Sequence, residues 1–304
     1  MVRRNNRVRN RLYGCRGGEP QGNPWEAKGQ KGSRVLGVYQ HDLIDTSLVW
    51  CANRTGRSDI VLVCEHASNF IPPEFQGLGL SNAARLSHAA WDPGARAVAV
   101  GLSTALDAVL VTPRVSRLVY DCNRPPDAAS AMPERSEIYD IPGNYALDAA
   151  ARQRRVSGVY DPFRAAVRDA LETRRQAGRL PVLVTIHSFT PVYHGTARET
   201  EIGILHDDDS RLADAILARD GGMLGPFRLS RNDPYGPEDG VTHTLQSLGM
   251  ALGCVNVMIE IRNDLIDSAA GQQIVTDLLQ DRLSAALQDL ALTELVNDVD
   301  GRNG

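Results

Sequence analysis

The chain has 304 residues, enough for one large α/β domain or for two smaller domains. It is 42% hydrophobic and 23% charged, which is typical of a folded protein with a sizeable core. The formal charge of −4 does not indicate nucleic-acid binding, which usually needs a basic surface. No apolar stretch reaches the ~18–20 residues that a membrane span requires.

The first 34 residues carry a charge opposite in sign to that of the rest of the chain. They hold nine basic and two acidic residues, a net charge of +7, whereas residues 35–304 have a net charge of −11. Their glycine, asparagine and glutamine content predicts a disordered basic tail. This tail has no hydrophobic region, so no secretory signal is predicted.

Buried strands are predicted from continuous apolar runs of strand length. Residues 35–57 are ambiguous, because 35–38 and 48–50 fit either short edge strands or a lead-in arm. Regular strands are then predicted at residues 60–64, 109–112, 118–120, 182–186, 202–205 and 255–261.

Helical stretches separate these strands. Ser81 is a candidate N-cap, Pro93 opens the next helix, and a long Arg/Ala-rich pattern over 145–177 is interrupted near Gly158 and Pro162. Further amphipathic stretches cover residues 209–219, 241–252 and 268–291. Strands alternating with helices predict a single three-layer α/β/α domain over residues 35–292, followed by a C-terminal tail at 293–304.

The connection over residues 123–144 contains four prolines and many small polar residues. It is too long for an ordinary link between two elements, and loops of this length are usually lids or binding loops. We therefore expect it to border a binding site.

Lysine and cysteine usage limits the chemistry available. Both lysines, Lys28 and Lys31, lie in the tail, which excludes a P-loop and Schiff-base catalysis in the folded part. The five cysteines have no CxxC spacing, and Cys64, Cys122 and Cys254 lie in or beside apolar runs, where free thiols behave as small hydrophobes. This usage indicates a reducing compartment, and we expect a cytoplasmic protein.

Histidines and carboxylates follow several of the predicted strands. Because ligands bind at the carboxyl edge of open α/β sheets, we expect these side chains to meet there. Neutral imidazoles with one carboxylate are the ligand set of a catalytic zinc, which leaves its fourth position to water. His66 and His187 are candidate ligands, and the third ligand is Glu65, Asp92 or His88.

Two carboxylates have competing interpretations. Asp92 stands directly before Pro93-Gly94, so it is as good a candidate for a helix N-cap as for a metal ligand. Glu260 lies inside an apolar strand, where an ionised carboxylate costs several kcal/mol unless it is paired. Glu260 can therefore supply a general base beside such a metal.

Arginines form a second group of candidates. Arg117 and Arg124 flank the predicted strand 118–120, and Arg262 lies two residues after Glu260, on the same predicted strand face. A guanidinium group matches a carboxylate bidentately and would suit an acidic substrate. For each of these arginines the competing interpretation is a salt bridge to Asp121 or Asp264.

Several blocks of the sequence resemble the N-formylglutamate amidohydrolase family. The matches run in order across residues 58–266 and include Cys-Glu-His-Ala-Ser-Asn at 64–69, His-Ala-Ala-Trp-Asp-Pro-Gly-Ala at 88–95, Ser-Arg-Leu-Val-Tyr-Asp-Cys-Asn-Arg-Pro at 116–125, Ile-His-Ser-Phe-Thr-Pro at 186–191 and Ile-Glu-Ile-Arg-Asn-Asp-Leu at 259–265. The family is similar in fold to zinc-dependent carboxypeptidases. This resemblance implies a mixed, mostly parallel sheet between helices.

The resemblance also implies an activity, hydrolysis of N-formyl-L-glutamate to formate and glutamate with one Zn²⁺ per chain. It implies that His66, Asp92 and His187 are the metal ligands and that Glu260 is the base. Asn123, Arg124 and either Arg117 or Arg262 would bind the substrate carboxylates. Asp92 is preferred to Glu65 because Glu65 and His66, as neighbours on a strand, point to opposite faces.

Two other functions compete with this one. A peptidoglycan or peptide amidase would use the same zinc site on a larger substrate, and an open 123–144 loop would favour it. A non-catalytic protein that binds an acidic ligand would need only the arginines. The expected partner is a small acidic N-acyl amino acid, with neither nucleic acid nor membrane involved, and the sequence leaves the oligomeric state open.

Overall fold

A computed structural model describes residues 48–301 of the chain, with side chains through residue 291. The basic tail predicted for residues 1–34 and the candidate strand at 35–38 lie outside the described residues. The last helix continues to Gly301, so the domain boundary predicted at residue 292 falls inside it. Residues 302–304 are outside the description.

Eight strands form one mixed sheet, and four short strands form two hairpins. The sheet has the order β1-β3-β2-β6-β12-β9-β11-β10. The strands are β1 (Val49–Ala52), β2 (Ile60–Val63), β3 (Val109–Pro113), β4 (Arg135–Ser136), β5 (Tyr139–Asp140), β6 (Val182–Phe189), β7 (Val192–Tyr193), β8 (Thr196–Ala197), β9 (Ile202–Leu205), β10 (Met223–Leu224), β11 (Phe227–Arg231) and β12 (Val255–Arg262).

The sheet is mostly parallel at its centre. β3, β2, β6 and β12 pair parallel with one another in this order, and β9 pairs parallel with β11, whereas β1 pairs antiparallel with β3 and β10 with β11. β12 is the last strand in sequence, and it lies between β6 and β9, antiparallel to β9. The predicted α/β fold with a mixed, mostly parallel sheet is confirmed.

The helices cover both faces of this sheet. They are α1 (Asn82–Leu86), α2 (Ala95–Ala105), α3 (Ala149–Arg155), α4 (Asp161–Gln176), α5 (Arg211–Ala218) and α6 (Ala269–Gly301). Ser81 caps α1 by accepting from the Ala84 amide, as predicted. The predicted break near Gly158 is a π-helical turn between α3 and α4. Among the described residues, no helix is long and apolar enough to cross a membrane.

Two hydrophobic cores lie on opposite faces of the sheet, which explains the continuous apolar runs. Along β2, Val61 and Val63 face the core formed with α4, whereas Ile60 and Leu62 face the core formed with α2, α5 and α6. Successive side chains of a strand point to opposite faces, so a strand buried on both faces needs apolar residues throughout.

One predicted strand is wrong. Residues 118–120 form a turn, in which the amide of Val119 donates to Ser116 and the Ser116 hydroxyl accepts from Leu118; these apolar side chains are buried beneath loops. The predicted helical stretch 241–252 is helical from residue 243, as a π-helical turn at Leu245–Gly249 followed by a 3₁₀ turn at Met250–Leu252 rather than as a regular α-helix. β11 was not predicted because its sequence has no continuous apolar run, the signal from which the buried strands were predicted.

Candidate active site

The carboxyl ends of β2, β6 and β12 border a cavity of about 190 Å³. His66 follows β2, while His187 and Glu260 lie in the last halves of β6 and β12 and face each other in the strand register. Asp92 comes from the turn before α2, and its backbone amide donates to the His66 carbonyl at 2.9 Å. The four side chains all line the cavity.

His66, Asp92 and His187 converge on one point. Asp92 Oδ2 lies 2.9 Å from Nδ1 of His187 and 3.3 Å from Nδ1 of His66, and the two Nδ1 atoms are 3.2 Å apart. All three side chains are buried. The structure thus brings together the three predicted ligands, which form a group able to hold a metal ion.

A further carboxylate lies behind each histidine. Asp121 Oδ1 is 2.8 Å from Nε2 of His66, and Glu65 Oε2 is 2.9 Å from Nε2 of His187. Ligating histidines usually have their second ring nitrogen on a carboxylate, which fixes the tautomer and the ring orientation. Glu65 was an alternative ligand from the sequence, and Asp121 was considered only as an arginine partner.

Buried charges balance one another around this group. Burial opposes ionisation of Asp121, but Arg117 and His66 hold its pKa well below the ordinary value. Burial likewise opposes ionisation of Asp92, and the two histidines lower its pKa. Burial disfavours a charged His187, whereas Glu65 and Asp92 raise its pKa well above the usual value. The neighbouring positive charges therefore favour the ionised form of Asp92 and Asp121.

Glu260 lies apart from these pairs. It is buried, and its Oε2 has no hydrogen-bond partner in the described part of the chain. Burial raises the pKa of Glu260 to about 7, against the lowering effect of His187. A carboxyl group with its pKa near neutrality is able to take up and release a proton during a reaction.

The candidate arginines differ in their surroundings. Arg117 donates to Asp121 Oδ2 at 2.7 Å and lies 3.5 Å from Asp92, so its charge is neutralised within the site. Arg124 donates to two backbone carbonyls and makes no carboxylate pair among the described residues. Both arginines line the cavity. Arg262 does not line the cavity, and its guanidinium pairs with the Asp264 carboxylate at 2.8 Å.

The Asn123 side chain joins two loops. Its amide nitrogen donates to the Val241 carbonyl, and its oxygen accepts from the Thr244 amide. The residue lines the cavity, but its side chain is only 2% exposed in relative terms. Its amide therefore positions the wall formed by Val241.

Part of the 123–144 loop lines the cavity. Its hairpin of β4 and β5 places Ser136 and Glu137 in the cavity wall, and Glu137 lies 2.8 Å from Nε2 of His88. His88, an alternative ligand from the sequence, is thus paired outside the His66–Asp92–His187 group.

A glycine allows one cavity segment to approach the sheet. Gly203 pairs with Glu260 in the strand register, and an added Cβ would overlap the carbonyl oxygen of Asp233. We expect Gly203→Ala to lower the free energy of unfolding by about 1–3 kcal/mol through overpacking, measured by denaturant titration. Gly158→Ala is the control, because its Cβ would enter open space. Equal stability of the two variants would contradict the close approach.

Comparison with known proteins places the chain in a family. A crystal structure of a gene product from Agrobacterium tumefaciens is 55% identical, with a TM-score of 0.79 and coverage of 81% of this chain and 96% of that one. A crystal structure of N-formylglutamate amidohydrolase from Ralstonia eutropha JMP134 is 19% identical, with a TM-score of 0.59 and coverage of 80% of this chain and 99% of that one. At this identity the similarity concerns the fold alone. No curated protein sequence matches the chain.

The family model described as N-formylglutamate amidohydrolase matches residues 58–267, more than half of the chain. The matched range begins just before β2 and ends just after β12, so it contains every residue of the His66–Asp92–His187 group together with Glu260. The resemblance noted in the sequence is confirmed, and the chain belongs to the N-formylglutamate amidohydrolase family.

Proposed function

We propose that this protein is a zinc-dependent amidohydrolase that cleaves the amide of an N-acylated acidic amino acid, with N-formyl-L-glutamate as the expected substrate. The observation that carries the proposal is the buried His66–Asp92–His187 group with Glu260 beside it in one small cavity. Formate and L-glutamate would be the products.

The donor atoms fit a tetrahedral zinc ion. Ligand atoms 2.0–2.1 Å from such an ion lie about 3.3–3.4 Å from one another, close to the 2.9–3.3 Å separations in this group. Two imidazoles and a carboxylate are also a usual donor set for catalytic zinc. A zinc ion held there would supply a Lewis acid that polarises the substrate carbonyl and lowers the pKa of a water molecule.

Glu260 would carry the proton between the two halves of the reaction. As the water oxygen bonds to the acyl carbon, Glu260 takes a proton from the water, and the carbonyl π electrons move onto the carbonyl oxygen. When the C–N bond breaks, its electron pair stays on nitrogen, which receives the proton from Glu260. The carboxylic acid formed then loses its remaining proton to the amine, so the products are a carboxylate and an ammonium group.

Arg124 is the candidate for binding a substrate carboxylate. Arg124 has no carboxylate partner among the described residues, so its remaining N–H groups are the best placed to bind a substrate carboxylate. Arg117 orients Asp121 and hence His66, and Asn123 positions the wall at Val241. Arg262 lies outside the cavity, so any part it has in substrate binding is indirect.

A substrate screen tests the reaction. N-formyl, N-acetyl and larger acyl derivatives of glutamate and of uncharged amino acids are incubated with the zinc-loaded protein, beside a peptidoglycan fragment. We expect the highest kcat/KM with a small acyl group on an acidic amino acid. Turnover of the peptidoglycan fragment alone would favour the amidase alternative, and binding without turnover would favour a binding protein.

Removal of the metal should abolish the activity. Because the donor atoms of His66, Asp92 and His187 converge on one point, we expect about one zinc per chain in a metal assay, loss of turnover after thorough chelation, and recovery on addition of zinc. Activity that survives complete removal of metal would contradict the proposed role of these residues.

The cysteines support a reducing location for this activity. Cys51, Cys64, Cys122 and Cys254 are all free thiols, and three of them are buried. We therefore propose that the protein works in the cytoplasm, where free thiols persist.

A further inference from the structure

Arg198 lies among three aromatic rings that line the cavity. Its guanidinium carbon is 4.6 Å from the ring centres of Tyr193 and Tyr235 and 5.5 Å from that of Phe189. Rings at these distances attract a cation through their π faces and restrict its movement. The sequence analysis did not identify Arg198, because nothing in its local sequence shows which rings surround it.

The charge of Arg198 is directed at one hydroxyl group. Its Nη1 donates to the phenol oxygen of Tyr235 at 2.8 Å, and in the described part of the chain Arg198 forms no ion pair with a carboxylate. A phenol oxygen that accepts a hydrogen bond from a cation becomes a stronger donor through its own O–H group. No described residue accepts the Tyr235 proton.

Tyr235 shares the cavity with Glu260 and the His66–Asp92–His187 group. Burial raises the pKa of Tyr235 to about 12, and the nearby Glu260 contributes to this rise. The phenol is therefore protonated at neutral pH and is available as a hydrogen-bond donor.

We propose that Tyr235 is a catalytic residue that donates a hydrogen bond to the carbonyl oxygen of the scissile amide, and that Arg198 positions and polarises its hydroxyl group. This assignment rests on the proposed amide hydrolysis. When water adds to the acyl carbon, negative charge develops on this oxygen, and the hydrogen bond from Tyr235 strengthens. Tyr235 keeps its proton, and the electron pair returns to the C=O bond as the C–N bond breaks.

The test compares two tyrosine variants of the zinc-loaded enzyme. Tyr235→Phe keeps the ring against Arg198 and removes only the hydroxyl group. We expect kcat to fall about 10²–10³-fold, the usual effect of losing one oxyanion donor, with KM and zinc content little changed. Tyr193→Phe is the control. The Tyr193 ring also packs against Arg198, but the Arg198 hydrogen bond goes to the Tyr235 hydroxyl, so we expect a far smaller loss of kcat.

A double variant tests the role of Arg198. If Arg198 acts through the Tyr235 hydroxyl, Arg198→Gln lowers kcat in the wild-type background but lowers it little further in Tyr235→Phe. Product affinity, measured by calorimetry, should be similar in wild-type and Tyr235→Phe protein, because the hydrogen bond strengthens only with the oxyanion.

The outcomes separate this assignment from the proposed function. A wild-type protein that hydrolyses none of the N-acyl amino acids overturns both. Wild-type turnover with an unchanged kcat in Tyr235→Phe, or an equal loss in Tyr193→Phe, overturns the role of Tyr235 alone. Multiplicative losses in the double variant overturn the role of Arg198.

Discussion

Glu260→Gln is expected to lower turnover by about 10²–10⁴-fold, the usual contribution of a positioned general base. Glutamine has nearly the same shape as glutamate but cannot take up the proton of the attacking water. The side chain is not part of the His66–Asp92–His187 group, so zinc should remain bound. Turnover and zinc content are measured on the same preparation.

The folded state of this variant should remain intact. Glu260 Oε2 has no hydrogen-bond partner among the described residues, so glutamine breaks no hydrogen bond at that atom. Circular dichroism and thermal unfolding check this point. Loss of zinc from a folded Glu260→Gln protein would show that Glu260 is a ligand, and an unchanged rate would exclude it as the base.

Asp92→Asn is expected to lower zinc content and activity together. Asp92 provides the only carboxylate oxygen in the group and lies within 3.3 Å of both facing Nδ1 atoms. An amide oxygen carries no charge to offset that of the cation, and the amide nitrogen cannot bind it. Zinc stoichiometry after dialysis against a defined free zinc concentration measures the loss.

The competing role for Asp92 gives a different result. A helix N-cap tolerates asparagine as well as aspartate, so metal content would be unchanged if capping were its function. In the structure the N-cap of α2 is Gly94, and the Asp92 carboxylate accepts from the Ser188 amide. Asp264→Asn makes the same chemical change at the end of β12, outside the cavity, and should retain its zinc.

The sequence predicted the strands and the residues at their ends because both signals are local. A strand buried on both faces has a continuous apolar run, and polar residues at its carboxyl end stand out against that run. This reasoning placed His66 and His187 at one edge of the sheet. It failed at residues 118–120, where an apolar run is buried in a turn whose shape depends on the Ser116 hydroxyl.

The surroundings of the site residues were less predictable because they depend on contacts distant in sequence. Asp121 lies 55 residues from His66, and Asn123 bonds to backbone groups about 120 residues away. A sequence shows which side chains are present but not which of them neutralise one another. Arg117 and Arg262 were therefore equivalent candidates until the structure showed their different carboxylate partners.

The place of β12 in the sheet has a consequence for synthesis on the ribosome. His66, Asp92 and His187 have all been translated once residue 187 is reached. β12, which carries Glu260 and lies between β6 and β9, is complete only at residue 262. At 5–20 residues per second this leaves an interval of about 4–15 s. During this interval β6 lacks its β12 neighbour, and from residue 205 onward β9 lacks it as well. Strands with unpaired edges associate readily with other chains. A nascent chain halted before β12 should therefore depend on chaperones, and release of the last strand both closes the sheet and completes the site.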